Sequence, residues 1–93
     1  MPPKKMKVKE YDERIKQATS ILSLISEDTT TPRNIRRTAK EALDALKVSG
    51  QTQAMRAAQA ISTLDEISQD TNMPAYTRTR MWNVVSILEV IKE

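Results

Sequence analysis

Residues Ile25–Leu46 read ISEDTTTPRNIRRTAKEALDAL, and residues Ile67–Leu88 read ISQDTNMPAYTRTRMWNVVSIL. The second stretch returns to the first at an offset of 42 residues without a gap. Leu22/Leu64, Ile25/Ile67, Ser26/Ser68, Asp28/Asp70, Thr29/Thr71, Pro32/Pro74, Arg36/Arg78 and Leu46/Leu88 are identical pairs. Each copy reads as a helix end, a tight turn and a new helix. A period on the order of 40 residues is what a duplicated helix pair produces. Architecture is therefore legible here, whereas no stretch of the chain states its biochemical function.

Working outward from the two turns, apolar residues recur at helical spacing on either side. Tyr11, Ile15, Ala18, Leu22 and Ile25 step by four and three, with Ile21 and Leu24 widening the stripe, which predicts a first helix over about Lys9 to Glu27. A second helix is expected from Pro32, where a missing N–H costs nothing, with Thr31 as its cap. Its stripe is Ile35, Ala39, Ala42, Leu43 and Leu46, and Ser49-Gly50 should end it. A third is predicted from about Thr52 to Ser68 on Ala54, Ala57, Ala58, Ile61, Leu64 and Ile67. A fourth runs from Pro74 to about Ile91 on Met81, Val84, Val85, Leu88 and Ile91, with Asn72 or Met73 at the cap. Trp82, Ile87 and Val90 lie outside that last stripe, so helix four is expected to be either the most enclosed helix or a face of an oligomer interface. Short links force antiparallel neighbours. The expected fold is an all-α, four-helix up-and-down bundle of two duplicated helical hairpins over residues 9–93. Residues 1–8, MPPKKMKV, read as a disordered basic tail.

Composition narrows the function classes. The 93 residues suit one domain, with 39% apolar residues and almost no aromatics. Neither cysteine nor histidine occurs. Disulfides, thiolate chemistry and the commonest general base and metal ligand are therefore absent. No apolar run reaches the roughly 18 residues of a membrane span, so a cytoplasmic protein is expected. The net charge is +3. All of that excess sits in the first sixteen residues, where Lys4, Lys5, Lys7, Lys9, Arg14 and Lys16 outnumber Glu10, Asp12 and Glu13.

Glu27–Arg37 (EDTTTPRNIRR) and Leu64–Trp82 (LDEISQDTNMPAYTRTRMW) resemble an uncharacterised family of small, largely archaeal helical proteins through the motifs P-R-N-I-R and D-x-N-M-P-x-x-x-R-T. The resemblance covers almost the whole chain from about Ile15. It implies a compact four-helix bundle in an archaeal cytoplasm, and it supplies no activity.

Three groups of residues stand out. Asp28, Pro32, Arg36 and their counterparts Asp70, Pro74, Arg78 are read as structural: each carboxylate takes turn amides and each arginine braces its turn. Arg33, Arg37 and Lys40, extended by Arg78 and Arg80 at the same end of the bundle, are candidates for phosphate or nucleic-acid contact, helped by Asn34 and by the tail lysines. Trp82, Val85, Ile87 and Val90 are candidates for a docking or self-association face, with Trp82 also within reach of a cation–π contact from Arg78. Asp65, Glu66 and Asp70 lack the spacing of a calcium loop. No catalytic residue, cofactor or metal is expected. The expected function is a non-enzymatic interaction or self-associating module, with nucleic-acid backbone binding as the alternative and no membrane or small-molecule partner.

Overall fold

The computed structural model describes residues 4–92, and side chains from Val8 onward. Among these residues the chain forms four helices and no strand: α1 Lys4–Glu27, α2 Arg33–Leu46, α3 Gln53–Ile67 and α4 Ala75–Glu89. α1 packs on α2 and α4, α2 on α3, and α3 on α4, while α1 touches α3 across the diagonal. This is the expected up-and-down bundle, 43 × 23 × 19 Å in extent. The diagonal contact is possible because Ala18 of α1 and Ala57 and Ala60 of α3 are small and wholly buried.

The core is built from the repeat. Leu22 and Leu64, and Leu46 and Leu88, are buried as equivalent pairs, with Ile15, Ile25, Ile35, Met81 and Val84 between them. The predicted stripes need few changes. Leu24 does not widen the core, since it is 57% exposed, and Ala58 is also exposed. Ala60, Met73 and Thr77 are buried, although none of them was expected in a stripe.

Helix ends differ from expectation in five places. α1 begins at Lys4, because Lys-Lys-Met-Lys-Val-Lys-Glu is made of good helix formers with one exception and nothing in it stops a helix. The expected disordered tail is thus helical over Lys4–Val8, and its first three residues lie outside the described ones. Pro32 and Pro74 are the N-caps themselves, with ψ near 146° and 148°, and neither has a side-chain cap. Each instead offers its carbonyl to the first helical amides, Pro32 to Ile35 and Arg36 at 3.1 and 3.0 Å. Thr31, Asn72 and Met73 therefore do not cap. Thr52 does cap α3, its hydroxyl accepting the Met55 amide at 3.1 Å. α2 stops at Leu46, and Gly50 takes its positive φ of 84° inside the following link rather than at the helix end. α4 stops at Glu89, yet Ile91 beyond it is still buried.

Candidate functional site

The backbones of the two turns fold alike. Asp28 and Asp70 donate their amides to the carbonyls of Ile25 and Ile67, and their own carbonyls accept from Thr31 and Met73. Each aspartate also accepts an amide two residues on: Thr30 N–H to Asp28 Oδ1 at 3.0 Å, and Asn72 N–H to Asp70 Oδ1 at 2.8 Å. This is the aspartate turn anticipated for both positions. The second oxygen of each carboxylate is taken by the other hairpin. Tyr76 of α4 donates its hydroxyl to Asp28 Oδ2 at 3.2 Å, and Asn34 of α2 donates Nδ2 to Asp70 Oδ2 at 2.6 Å. Asn34 and Tyr76 are themselves equivalent at the 42-residue offset. The buried hydroxyls of Thr31 and Thr77 face each other at 3.5 Å between the turns.

The Thr30 hydroxyl, 2.6 Å from Asp28 Oδ1, is the first cause that holds the Asp28 carboxyl below its ordinary value. The Thr30 amide comes next, and Tyr76 and Thr31 add to it against a desolvation that acts the other way. Neither aspartate is left to meet the other around a ligand. Among the described residues no group of three carboxylates converges on a metal position.

The arginines of the two turns part company. Arg78 turns back over the end of α3 and donates Nη1 to the Ser68 carbonyl at 2.7 Å and Nη2 to the Asp70 carbonyl at 3.2 Å. Its charge thus covers the negative end of that helix dipole. Arg36 makes no such brace. Its guanidinium has no hydrogen bond or ion pair among the described residues, and its Nε is shut away from solvent without a partner. The expected pair of braces is therefore a single brace.

Arg36 instead lines a shallow, open depression of about 460 Å³ together with Ser26, Glu27, Arg33, Arg37 and Lys40. The spacing explains the gathering: Arg33, Arg36, Arg37 and Lys40 fall at i, i+3, i+4 and i+7 of α2, which is one helix face. Among the described residues the ion pair within 4.0 Å is Arg14 with Glu10, so none of these four cations is neutralised by a carboxylate. Of the expected phosphate-contact residues, Arg33, Arg37 and Lys40 thus come together. Arg78 is committed to its turn. Arg80 lies over the Tyr76 ring at 5.7 Å, and this is the cation–π contact formed, rather than Arg78 with Trp82. Lys4 is separated from the depression by the length of α1, roughly 35 Å at 1.5 Å per residue.

The expected docking face also divides. Arg78, one turn before Trp82, reaches the end of α3, so Trp82 and the half-buried Val85 stand on the α3 flank of α4. A shallow groove on α3 is lined by Ala58, Ile61, Ser62, Asp65, Glu66 and Gln69, without a residue of α4. Ile87 packs against the core on the α1 flank, where its carbonyl meets Arg14, and Val90 is exposed past the helix end. α4 is not the most enclosed helix, since Trp82 is 59% and Tyr76 46% exposed. No helix among the described residues is long and apolar enough to cross a membrane.

Residues 3–91 match the uncharacterised protein family UPF0147, and the chain belongs to that family. It is 54% identical over 80 residues to the UPF0147 protein of Sulfurisphaera tokodaii, covering 86% of this chain and 90% of that one. Against the UPF0147 protein of Aeropyrum pernix the identity is also 54%, with 86% and 88% covered. Two crystal structures share the fold. The unknown-function protein MMP1188 is 49% identical with a TM-score of 0.85 over 88% of this chain and 93% of that one. A UPF0147 protein from Thermoplasma acidophilum is 29% identical with a TM-score of 0.84, covering 91% and 100%.

Two outcomes follow from the turns. Arg78→Ala removes two charge-assisted bonds at a half-buried position and should cost about 2 kcal/mol, or roughly 10 °C in Tm, whereas Arg36→Ala should stay within about 0.5 kcal/mol of the parent in urea unfolding. Asp28→Asn should unfold more easily than the parent at neutral pH. Because the folded carboxyl titrates below the ordinary value of 3.8, this advantage of the parent is complete above that value and is lost as pH falls through the folded one. The gap between the two melting curves should therefore close on acidification. A gap constant with pH would contradict the role given to the Asp28 charge.

Proposed function

We propose that this UPF0147 chain is a non-enzymatic binding module whose working surface is the cationic depression beside the first turn, and that it holds the phosphate backbone of a nucleic acid. The carrying observation is the set of four unpaired cations, Arg33, Arg36, Arg37 and Lys40, around one open hollow that has Glu27 as its single carboxylate. The cations span eight residues of α2, seven steps or roughly 10 Å along the axis. That length exceeds what one phosphate needs and suits several successive phosphates of a strand. The matching positions of the second hairpin, Ala75, Arg78, Thr79 and Trp82, carry one cation, and Arg78 is already used. Phosphate contacts carry no base information, so binding would be largely indifferent to sequence.

A second reading rests on Trp82. The single tryptophan of the chain is more than half exposed, one turn of α4 before the half-buried Val85. Tryptophan is enriched among the residues that anchor protein interfaces. In this reading the α3–α4 face self-associates or docks a protein, and the cationic hollow on the other hairpin stays open.

If the depression holds phosphates, affinity for a single-stranded RNA should fall with salt at a log–log slope of roughly −2 to −3, from about 0.7 per neutralised phosphate. Arg37→Gln or Lys40→Gln should each reduce that slope by about 0.7 without altering Tm. Absence of binding to mixed RNA or DNA at about 50 mM salt would remove the proposal. For the second reading, Trp82→Glu should abolish any concentration-dependent increase in solution mass while leaving thermal unfolding unchanged. Unfolding of that variant would place Trp82 in the fold instead.

A further inference from the structure

The two hairpins share a backbone but not the use of one residue. Arg36 and Arg78 are the same position of the repeat, each donating its amide to the carbonyl of the preceding proline at 3.0 Å. The acceptors that hold Arg78 are the carbonyls of Ser68 and Asp70. The equivalent residues in the first hairpin, Ser26 and Asp28, are present, and Arg36 leaves both unused. A buried donor without an acceptor is rare and costly in a folded protein. Arg56 also has a partnerless Nε, but its Nη1 is held by the Leu46 carbonyl at 3.1 Å. Arg36 has no such hold, and it borders the hollow shared by Arg33, Arg37 and Lys40.

Resting on the reading of that hollow as a nucleic-acid site, we infer that Arg36 is its anchor: its forked guanidinium takes one backbone phosphate in a fixed position, while the exposed Arg33, Arg37 and Lys40 follow the neighbouring phosphates by charge alone. An arginine partly sunk into the surface has already lost much of the side-chain freedom that binding would cost, and its planar fork matches two phosphate oxygens. A lysine in its place keeps the charge and loses the fork. The repeat has thus kept one arginine as a brace and left its twin, half-buried at the edge of the hollow, free to serve as a ligand group.

The test compares Arg36→Lys, Arg36→Gln and Arg37→Lys with the parent by fluorescence anisotropy. The probe is a labelled single-stranded RNA of roughly 12 nucleotides, with a DNA strand of the same sequence, between about 50 and 200 mM salt. Arg36→Lys should weaken binding by roughly tenfold with the salt slope unchanged, the mark of a lost fork at constant charge. Arg37→Lys should stay within about twofold, and Arg36→Gln should lose both affinity and about 0.7 of slope. No melting temperature of the three should fall below the parent's, since loss of a brace would lower it. If the parent binds RNA or DNA and Arg36→Lys binds equally well, the anchor is overturned and the cationic site stands. If the parent binds neither strand, the site itself falls, and a rise in Tm with inorganic phosphate alone would then mark a free-anion site instead.

Discussion

The constraint on which the bundle depends is that each turn carboxylate has one oxygen more than its own turn can use. Asp28 and Asp70 each satisfy a local amide with Oδ1. The remaining oxygen finds its donor only across the molecule, on Tyr76 for Asp28 and Asn34 for Asp70. The exchange is reciprocal and can be completed in one relative placement of the two hairpins. These bonds are exposed and each contributes little, on the order of 1 kcal/mol. Bulk stability comes from the buried leucines, isoleucines and alanines between the helices. What the turns supply is register: with the turn end fixed, Leu22 and Leu64 near it and Leu46 and Leu88 toward the other end are all buried in one core. The opposite end is secured differently, by Gln53 donating to the Val8 carbonyl and the Asp12 carboxylate.

On this symmetric frame the outer surfaces have diverged. The face of α2 that carries Arg33, Arg37 and Lys40 corresponds to Ala75, Thr79 and Trp82 on α4. One hairpin presents unneutralised charge and the other a large ring. That division suits two surfaces with separate tasks better than one continuous site, and it is why the cationic and apolar readings do not compete for the same residues.

Much of this was legible in the chain. The 42-residue repeat, the prolines after each turn and the helical stripes announce two hairpins and a four-helix bundle. The grouping of Arg33, Arg37 and Lys40 follows from their spacing on one helix. The fate of the arginines in the turns does not follow from spacing. Arg36 and Arg78 occupy equivalent positions four residues after a proline, and only three-dimensional packing shows that one reaches its carbonyls and the other does not. The cross-hairpin bonds of Asn34 and Tyr76 were hidden for a related reason, since neither residue type matches its counterpart. Their equivalence at the repeat offset was the available signal. The start of α1 was missed because two prolines and a run of lysines look like a solvated tail, although lysine is a good helix former. Leu24, Ile87 and Val90 show the limit of counting apolar residues, because one sequence pattern serves core-packed and exposed positions alike.

The exposure of Trp82 also has a spectroscopic consequence. The chain has one tryptophan, and its indole already faces water in the folded state. Unfolding exposes only the remaining part of a ring already more than half in water, so its emission should start at long wavelength and shift modestly on denaturation. The fluorophore that normally reports on a protein's core is here a reporter of its surface. It responds weakly while the bundle melts and shifts to the blue when something settles over α4.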